Sequence, residues 1–438
     1  MSLEKFVRRI LFFVGVIASV NAGAEAQLWQ PVQYQDTYLL QGLLNNTTGV
    51  LDVGNGQVIL KRHESVLICR LESDGTWVLE AEIPAVEEGI GFGSKGAIDG
   101  DVAIISAPNW VDAEGIRRGR AYAYEREPKG GSWAQTYTFD PISIDPDDAG
   151  LAGFKFGFDL ALDDGLVAIS DSRAGFQGLT DLGYVRFFEL IGPGEWVTAG
   201  QYFGISGGER FGTTLDIDRG AGDLCAVGAN QLEVEDANGT IEFFVRQTDG
   251  DWLPQPRLIQ GPSESFLWPS DIDITARQMA IGGVNSYGLP GTVQIWEKPE
   301  DEWIHRTTLL GGGEDKGGFG GAVQLGTSRL LVTQYFTLGL PSDGAAMIYE
   351  RNQAGEWRIS QVFNGALDFP ANEGCTAGMI GDHVLVRNSG GAVRSFKRTV
   401  FDFPCERPEP SCPGDVNGDG IVNSSDLGIL LGAWGFCP

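Results

Sequence analysis

Residues 210–260 read RFGTTLDIDRGAGDLCAVGANQLEVEDANGTIEFFVRQTDGDWLPQPRLIQ, and four strands separate within them. The first, after Arg210, alternates apolar and polar residues up to Asp218. The second, after Asp223, is almost wholly apolar. The third, after Gly239, carries Phe243 and Phe244, and the fourth opens at Trp252 behind an Asp249-Gly250 turn. Runs of this length bounded by Gly, Asp and Asn read as strands, and a turn containing Gly is what a tight hairpin needs.

The pattern recurs along the chain. Second strands reappear at Asp101-VAIISAP, Leu166-VAISD, Met279-AIGG, Leu330-LVTQ and Val384-LVRN. Third strands reappear at Arg120-AYAYE, Tyr184-VRFFE, Thr292-VQIWE, Ala346-MIYE and Ala392-VRSFK. A tryptophan opens the fourth strand at Trp29, Trp77, Trp133, Trp196, Trp252, Trp303 and Trp357, at spacings of 48, 56, 63, 56, 51 and 54. A repeat with a period near 50 points to a propeller or solenoid. The copy at 374–400 has three strands and no tryptophan strand after it, and Trp29-QPVQY supplies the missing one. The expected fold class is therefore all-β, a seven-bladed β-propeller over residues 27–401 closed by its N-terminal strand, which removes an exposed edge.

Residues 1–26 have the form of a secretory signal peptide, with basic Lys5, Arg8 and Arg9, an apolar run Ile10–Val20, and Ala24-Glu25-Ala26 as a cleavage site. Eleven apolar residues are too few to cross a bilayer, so no membrane span is expected and the chain is expected to be secreted, extracellular or at the cell surface. The net charge is −28. The leader has three basic residues against two acidic ones, so the chain from Gln27 would stand near −29. Such a balance argues against nucleic acid or an anionic membrane as partner. Of six cysteines, Cys69, Cys225 and Cys375 lie in apolar runs and read as buried free thiols, while Cys405 has no evident partner.

The phrases Gly91-Phe92-Gly93, Phe156-Gly157, Phe211-Gly212 and Phe319-Gly320, with Ser106-Ala107-Pro108 and Val227-Gly228-Ala229, resemble the FG-GAP repeat of integrin alpha-chain heads. That resemblance implies a seven-bladed propeller. The family also often places calcium in a D-x-D-x-D-G loop. Asp216-Ile217-Asp218 and Asp271-Ile272-Asp273 fall short of that loop and read instead as alternation on a strand.

Residues 402–414 (DFPCERPEPSCPG) are rich in proline and form a spacer. Beyond it, residues 415–436 carry oxygen donors at the positions of an EF-hand loop: Asp415, Asn417, Asp419, the Ile421 carbonyl, Asn423 and Asp426, with Gly420 at the sharp turn. Six to eight oxygens around one point suit Ca2+. Ser424 or Ser425 can cap a following helix with Leu427, Leu430, Leu431 and Trp434 on one face. The segment resembles one repeat of a type I dockerin, a family whose members carry two. The resemblance implies calcium binding and docking onto a cohesin-like or cell-surface protein, with Ser424 and Ser425 helping to select it. Cys412 and Cys437 bracket the module, and a disulfide between them would stabilise it by about 3 kcal/mol.

Histidine occurs only three times, and no G-x-S-x-G or HExxH motif is present. Long second-to-third-strand loops bring aromatics, Trp110, Phe176, Tyr287 and Tyr335, and carboxylates to one rim, where a glycan or protein ligand could bind. No catalytic residue is assigned. Two function classes fit these features. The first is a secreted, non-catalytic interaction protein with a calcium-dependent docking tail. The second is a secreted glycoside hydrolase-type enzyme of polysaccharide catabolism, targeted by that tail.

Overall fold

The structure is a computed structural model. It describes residues 32–37 and 49–400, except 64, 129, 143–154, 221, 231–237, 256–258, 262–266, 286–288, 312–317, 335–344, 353, 365–376 and 388–392. The calcium-loop segment and its flanking cysteines lie outside the described residues, as does Trp29.

Seven antiparallel sheets succeed one another along the chain. Blades 1 to 6 occupy residues 49–84, 96–139, 160–203, 211–260, 267–310 and 319–364, and each runs innermost to outermost strand in sequence order. Blade 7 consists of Ala377–Ile380, His383–Arg387 and Val393–Val400, with Val32–Thr37 as the outermost strand of the same sheet. This is an all-β seven-bladed propeller. Its four strands in the quoted stretch, Phe211–Asp218, Leu224–Ala229, Thr240–Arg246 and Trp252–Pro254, fall where the sequence placed them, with an added short outer piece at Ile259–Gln260.

The apolar cores lie between blades. Successive side chains on a strand point to opposite faces. In blade 1, Val58 and Leu60 pack with Leu385 and Val393 of blade 7, while Ile59 between them packs with Ile98 and Ile105 of blade 2. Second strands are buried on both faces, so all six residues of Leu166–Asp171 and of Leu224–Ala229 are buried. This double burial is why those strands read as unbroken apolar runs. Six of the seven cores repeat the same arrangement around the ring, and the blade 7–blade 1 core completes it.

The repeating tryptophan reaches backwards. Trp252 of blade 4 stacks on Phe187 of blade 3 with ring centroids 4.5 Å apart, and Trp303 of blade 5 stacks on Phe243 of blade 4 at 5.7 Å. Trp196 meets Phe139 of blade 2 edge-on at 5.1 Å. Trp77 packs on blade 7, where its indole donates to Ser395 Oγ at 3.1 Å and its ring meets His383. A second link is ionic. Arg246 of blade 4 holds Glu189 of blade 3 through two bonds of 2.8 and 2.6 Å, and Arg398 of blade 7 holds Glu350 of blade 6 at 2.9 and 3.2 Å.

The Phe-Gly phrases also sit between blades. Phe92, Phe156, Phe211 and Phe319 are buried at the entry of the innermost strands. The glycine after Phe211 has φ +83°, and a Cβ there would lie 2.7 Å from Cβ of Ser170 in blade 3. Blade 5 lacks the phrase, yet Trp268 fills the phenylalanine's place, 1% exposed, in the blade 4–blade 5 core. Cys69 and Cys225 are free and buried, as the sequence implied, and burial pushes the Cys69 thiol up to about 12.

Candidate functional site

Two regions of the propeller bring chemistry-bearing side chains together: the rim formed by the second-to-third-strand loops, and the central channel.

The described rim loops are fastened from within. In residues 108–119, Asp112 Oδ1 accepts the amides of Ile116 at 2.8 Å and Glu114 at 3.1 Å, and Arg118 pairs with its other oxygen. The Trp110 carbonyl accepts two successive amides, those of Arg118 at 2.9 Å and Gly119 at 3.1 Å. The loop 172–183 repeats this device, with the Leu182 and Gly183 amides both 3.0 Å from the Ala174 carbonyl. The hydrogen bond from Arg118 holds the Asp112 carboxyl below its ordinary value.

Of the expected rim aromatics, Trp110 is half-buried, and the Arg120 guanidinium lies 3.4 Å from its ring centroid. Phe176 is half-buried and stacks on Phe203 at 4.9 Å. Tyr287 and Tyr335 lie outside the described residues. So do all the expected calcium ligands, Asp415, Asn417, Asp419, Ile421, Asn423 and Asp426, together with Ser424, Ser425, Cys412 and Cys437.

Beneath the same loop, Asp171 is fully buried. It accepts the Lys155 amide at 2.9 Å and the Arg173 amide at 3.1 Å. Burial raises its carboxyl to about 7, the amides only partly opposing it. Asp181 is 3% exposed and takes both Arg173 and Arg210 on one oxygen, at 3.2 and 3.1 Å. This cluster ties blade 3 to the entry of blade 4.

The channel was not singled out by the sequence. The innermost strand of each blade is a sheet edge, so some of its amides have no partner within the sheet. Aspartates of the preceding blade supply one. Asp52 accepts Ile98 N at 2.8 Å, Asp216 accepts Ile274 N at 2.7 Å, and Asp273 accepts Leu325 N at 2.9 Å. One step nearer the strand entry, Asp159 accepts Leu215 N at 3.0 Å and Asp271 accepts Val323 N at 2.8 Å. Near the strand exit, Asp163 accepts Arg219 N at 2.6 Å and Asp99 accepts Asp164 N at 2.7 Å. Gln324 makes the equivalent bond to Met379 N at 2.6 Å and returns its own amide to the Met379 carbonyl. Asp-Ile-Asp on the strands Phe211–Asp218 and Leu267–Ile274 is indeed strand alternation, with Ile217 and Ile272 in the inter-blade cores.

These side chains line a cavity of about 490 Å³. Lys95 is the one cation among its described lining residues, and its Nζ lies 2.8 Å from Asp159. Asp52, Asp216, Asp271 and Asp273 are half-buried, and desolvation lifts Asp52, Asp271 and Asp273 to about 7 and raises Asp216 well above its ordinary value, with Asp273 and Asp271 adding repulsion. Among the described residues no group of three or more His, Cys, Asp or Glu has the geometry to hold a metal ion.

No family model matches the chain, and no curated protein matches it. Solved structures do. A putative 6-phosphogluconolactonase from Bacteroides uniformis aligns with a TM-score of 0.52 at 13% identity, covering 76% of this chain and 88% of that one. The chain has the propeller fold. Two further similar structures are Sqt1 of Saccharomyces cerevisiae, with a TM-score of 0.44 at 12% identity over 83% and 97% of the two chains, and the Dos1 propeller, with 0.44 at 9% over 81% and 93%. At 13% identity the first likeness bears on architecture alone, and the two at a TM-score of 0.44 carry no argument.

Proposed function

We propose that this chain is an exported, non-catalytic interaction protein whose propeller presents a rigid rim to a glycan or protein ligand and whose C-terminal segment docks in a calcium-dependent way. The observation that carries the platform reading is the internal fastening of the rim. Loops 108–119 and 172–183 use their own amides, Asp112 and the Trp110 and Ala174 carbonyls to hold one conformation. A pre-ordered surface loses less conformational entropy on binding than a mobile one. The docking reading rests on the calcium-loop spacing from Asp415 to Asp426 and the apolar helix face after it. The likeness to FG-GAP propellers and to dockerins is part of the same proposal, as is ring closure by the N-terminal strand, which the strand order of the seventh sheet supports.

A calorimetric calcium titration of the full chain beside Asp415→Ala tests the tail. One equivalent bound by the wild type and none by the variant is the expected result. Equal calcium uptake by both would assign the ion elsewhere and remove the docking reading. Release of reducing sugar from polysaccharide by the purified chain would turn the platform into an enzyme.

A further inference from the structure

We propose that the central channel is a proton-held seam: aspartates on the innermost strands keep a proton on one carboxyl oxygen while the other staples the next blade, so that the propeller tightens as its surroundings acidify. The geometry separates the two jobs. At every one of the seven aspartate staples it is Oδ2 that accepts the neighbouring amide. At Asp159 and Asp99 the other oxygen is taken, by Lys95 and by Asn55. At Asp52, Asp163, Asp216, Asp271 and Asp273 a proton on Oδ1 leaves the inter-blade bond in place, whereas its loss leaves a charge in a half-buried channel crowded with like charges.

The charges that face one another come from five blades. Blade 1 contributes Asp52, and blade 2 contributes Asp99 with Lys95 at its entry. Blade 3 brings Asp159 and Asp163, blade 4 Asp216 and Asp218, and blade 5 Asp271 and Asp273. Blade 6 offers the neutral Gln324, and blade 7 only Ala377 and Gly378. Among the described lining residues eight aspartates thus meet a single lysine, and that lysine is engaged with Asp159. The Gln324 staple shows what the position requires: an acceptor for the next blade's amide, with no need of charge.

These protons give the pH effect its direction. Asp52, Asp271 and Asp273 hold their protons to about pH 7 when folded, against an ordinary value of 3.8, and burial likewise raises Asp163 and Asp216. Between those limits the folded chain binds more protons than the unfolded one, so stability falls as pH rises and is lost as pH passes through the folded values.

Thermal unfolding of the full chain in EDTA, at pH 6.5 and 8.5, decides the matter. The wild type is expected to melt lower at pH 8.5 by about 5 °C or more. Asp273→Asn and Asp216→Asn keep the staple's acceptor and remove the charge. Each should raise the melting temperature at pH 8.5 and flatten the profile, while Asp301→Asn at an exposed site should leave the slope unchanged. Should either channel variant fail to fold, Asp52→Asn and the wild-type profile carry the same test. A flat wild-type profile, channel variants less stable than wild type at pH 8.5, or equal flattening by Asp301→Asn would overturn the proposal. So would restoration of the pH 8.5 melting temperature by calcium in the Asp415→Ala chain, which would assign the channel to a cation.

Discussion

A residue's meaning in this chain depends on which blade it faces. Tryptophan is the clearest instance. Its spacing is visible in the sequence, but its partner is a different residue in each copy, such as Phe187 for Trp252 and Ser395 with His383 for Trp77. The Phe-Gly glycines are similar: Gly320 has φ +84°, and a Cβ there would sit 2.4 Å from the Thr292 carbonyl of blade 5. Gly320→Ala is expected to cost roughly 2–3 kcal/mol, from left-handed strain and the blocked approach of two blades; urea unfolding midpoints would measure it. His383 gives a pH effect opposite to that of the channel. Burial and Lys397 lower its pKa below 6.5, so the neutral ring is the one that fits against Trp77. Its contribution is present above 6.5 and lost as pH falls below that value. His383→Gln should flatten the acid limb of the stability profile between pH 6.5 and 5, and an unaltered limb would count against this assignment.

At the scale of the element, each strand's burial depends on its rank in the blade. Second strands are covered on both faces and read as apolar runs. In blades 1, 3 and 4 the outermost strand buries its repeat tryptophan and exposes the next residue: Trp252 is 1% exposed and Leu253 49%. Trp252→Ala should therefore lose about 3–5 kcal/mol by removing a filled inter-blade core, whereas Leu253→Ala should stay within about 0.5 kcal/mol. Chemical denaturation of the two variants side by side would show the contrast. Innermost strands are the ones that sequence reading underrates. Asp-Ile-Asp is legible as alternation, and the isoleucines as the buried face. Nothing in one strand reveals that its aspartates bond the amides of the next blade some fifty residues on. The rim loops are another partial reading. Their lengths and aromatic residues are visible in the sequence, but the clamp of Arg120 on Trp110 and the stacking of Phe176 on Phe203 depend on side-chain packing.

For the whole molecule, closure of the ring concentrates the stability in contacts between blades. The blade 7–blade 1 core joins Leu385 and Val393 to Val58, Leu60 and Trp77, residues more than 300 positions apart. If Val32–Thr37 serves as the closing strand, removal of residues 27–37 should expose the edge of Val393–Val400 and lower the melting temperature by about 5 °C or more, with aggregation on heating as a second readout. The sequence by itself determined the strand count, the seven repeats and the apolar second strands, because alternation, glycine turns and a recurring tryptophan are local signals carried by each copy. It also supplied the calcium-loop spacing of the tail, which is local in the same way. Only the tertiary structure decided that the tryptophans and phenylalanines wedge between blades, and that, among the described residues, eight scattered aspartates converge on one channel with a single lysine. The reason is physical: burial and charge repulsion at the axis are set by the curvature that brings seven innermost strands together, and no window of sequence contains more than one of them.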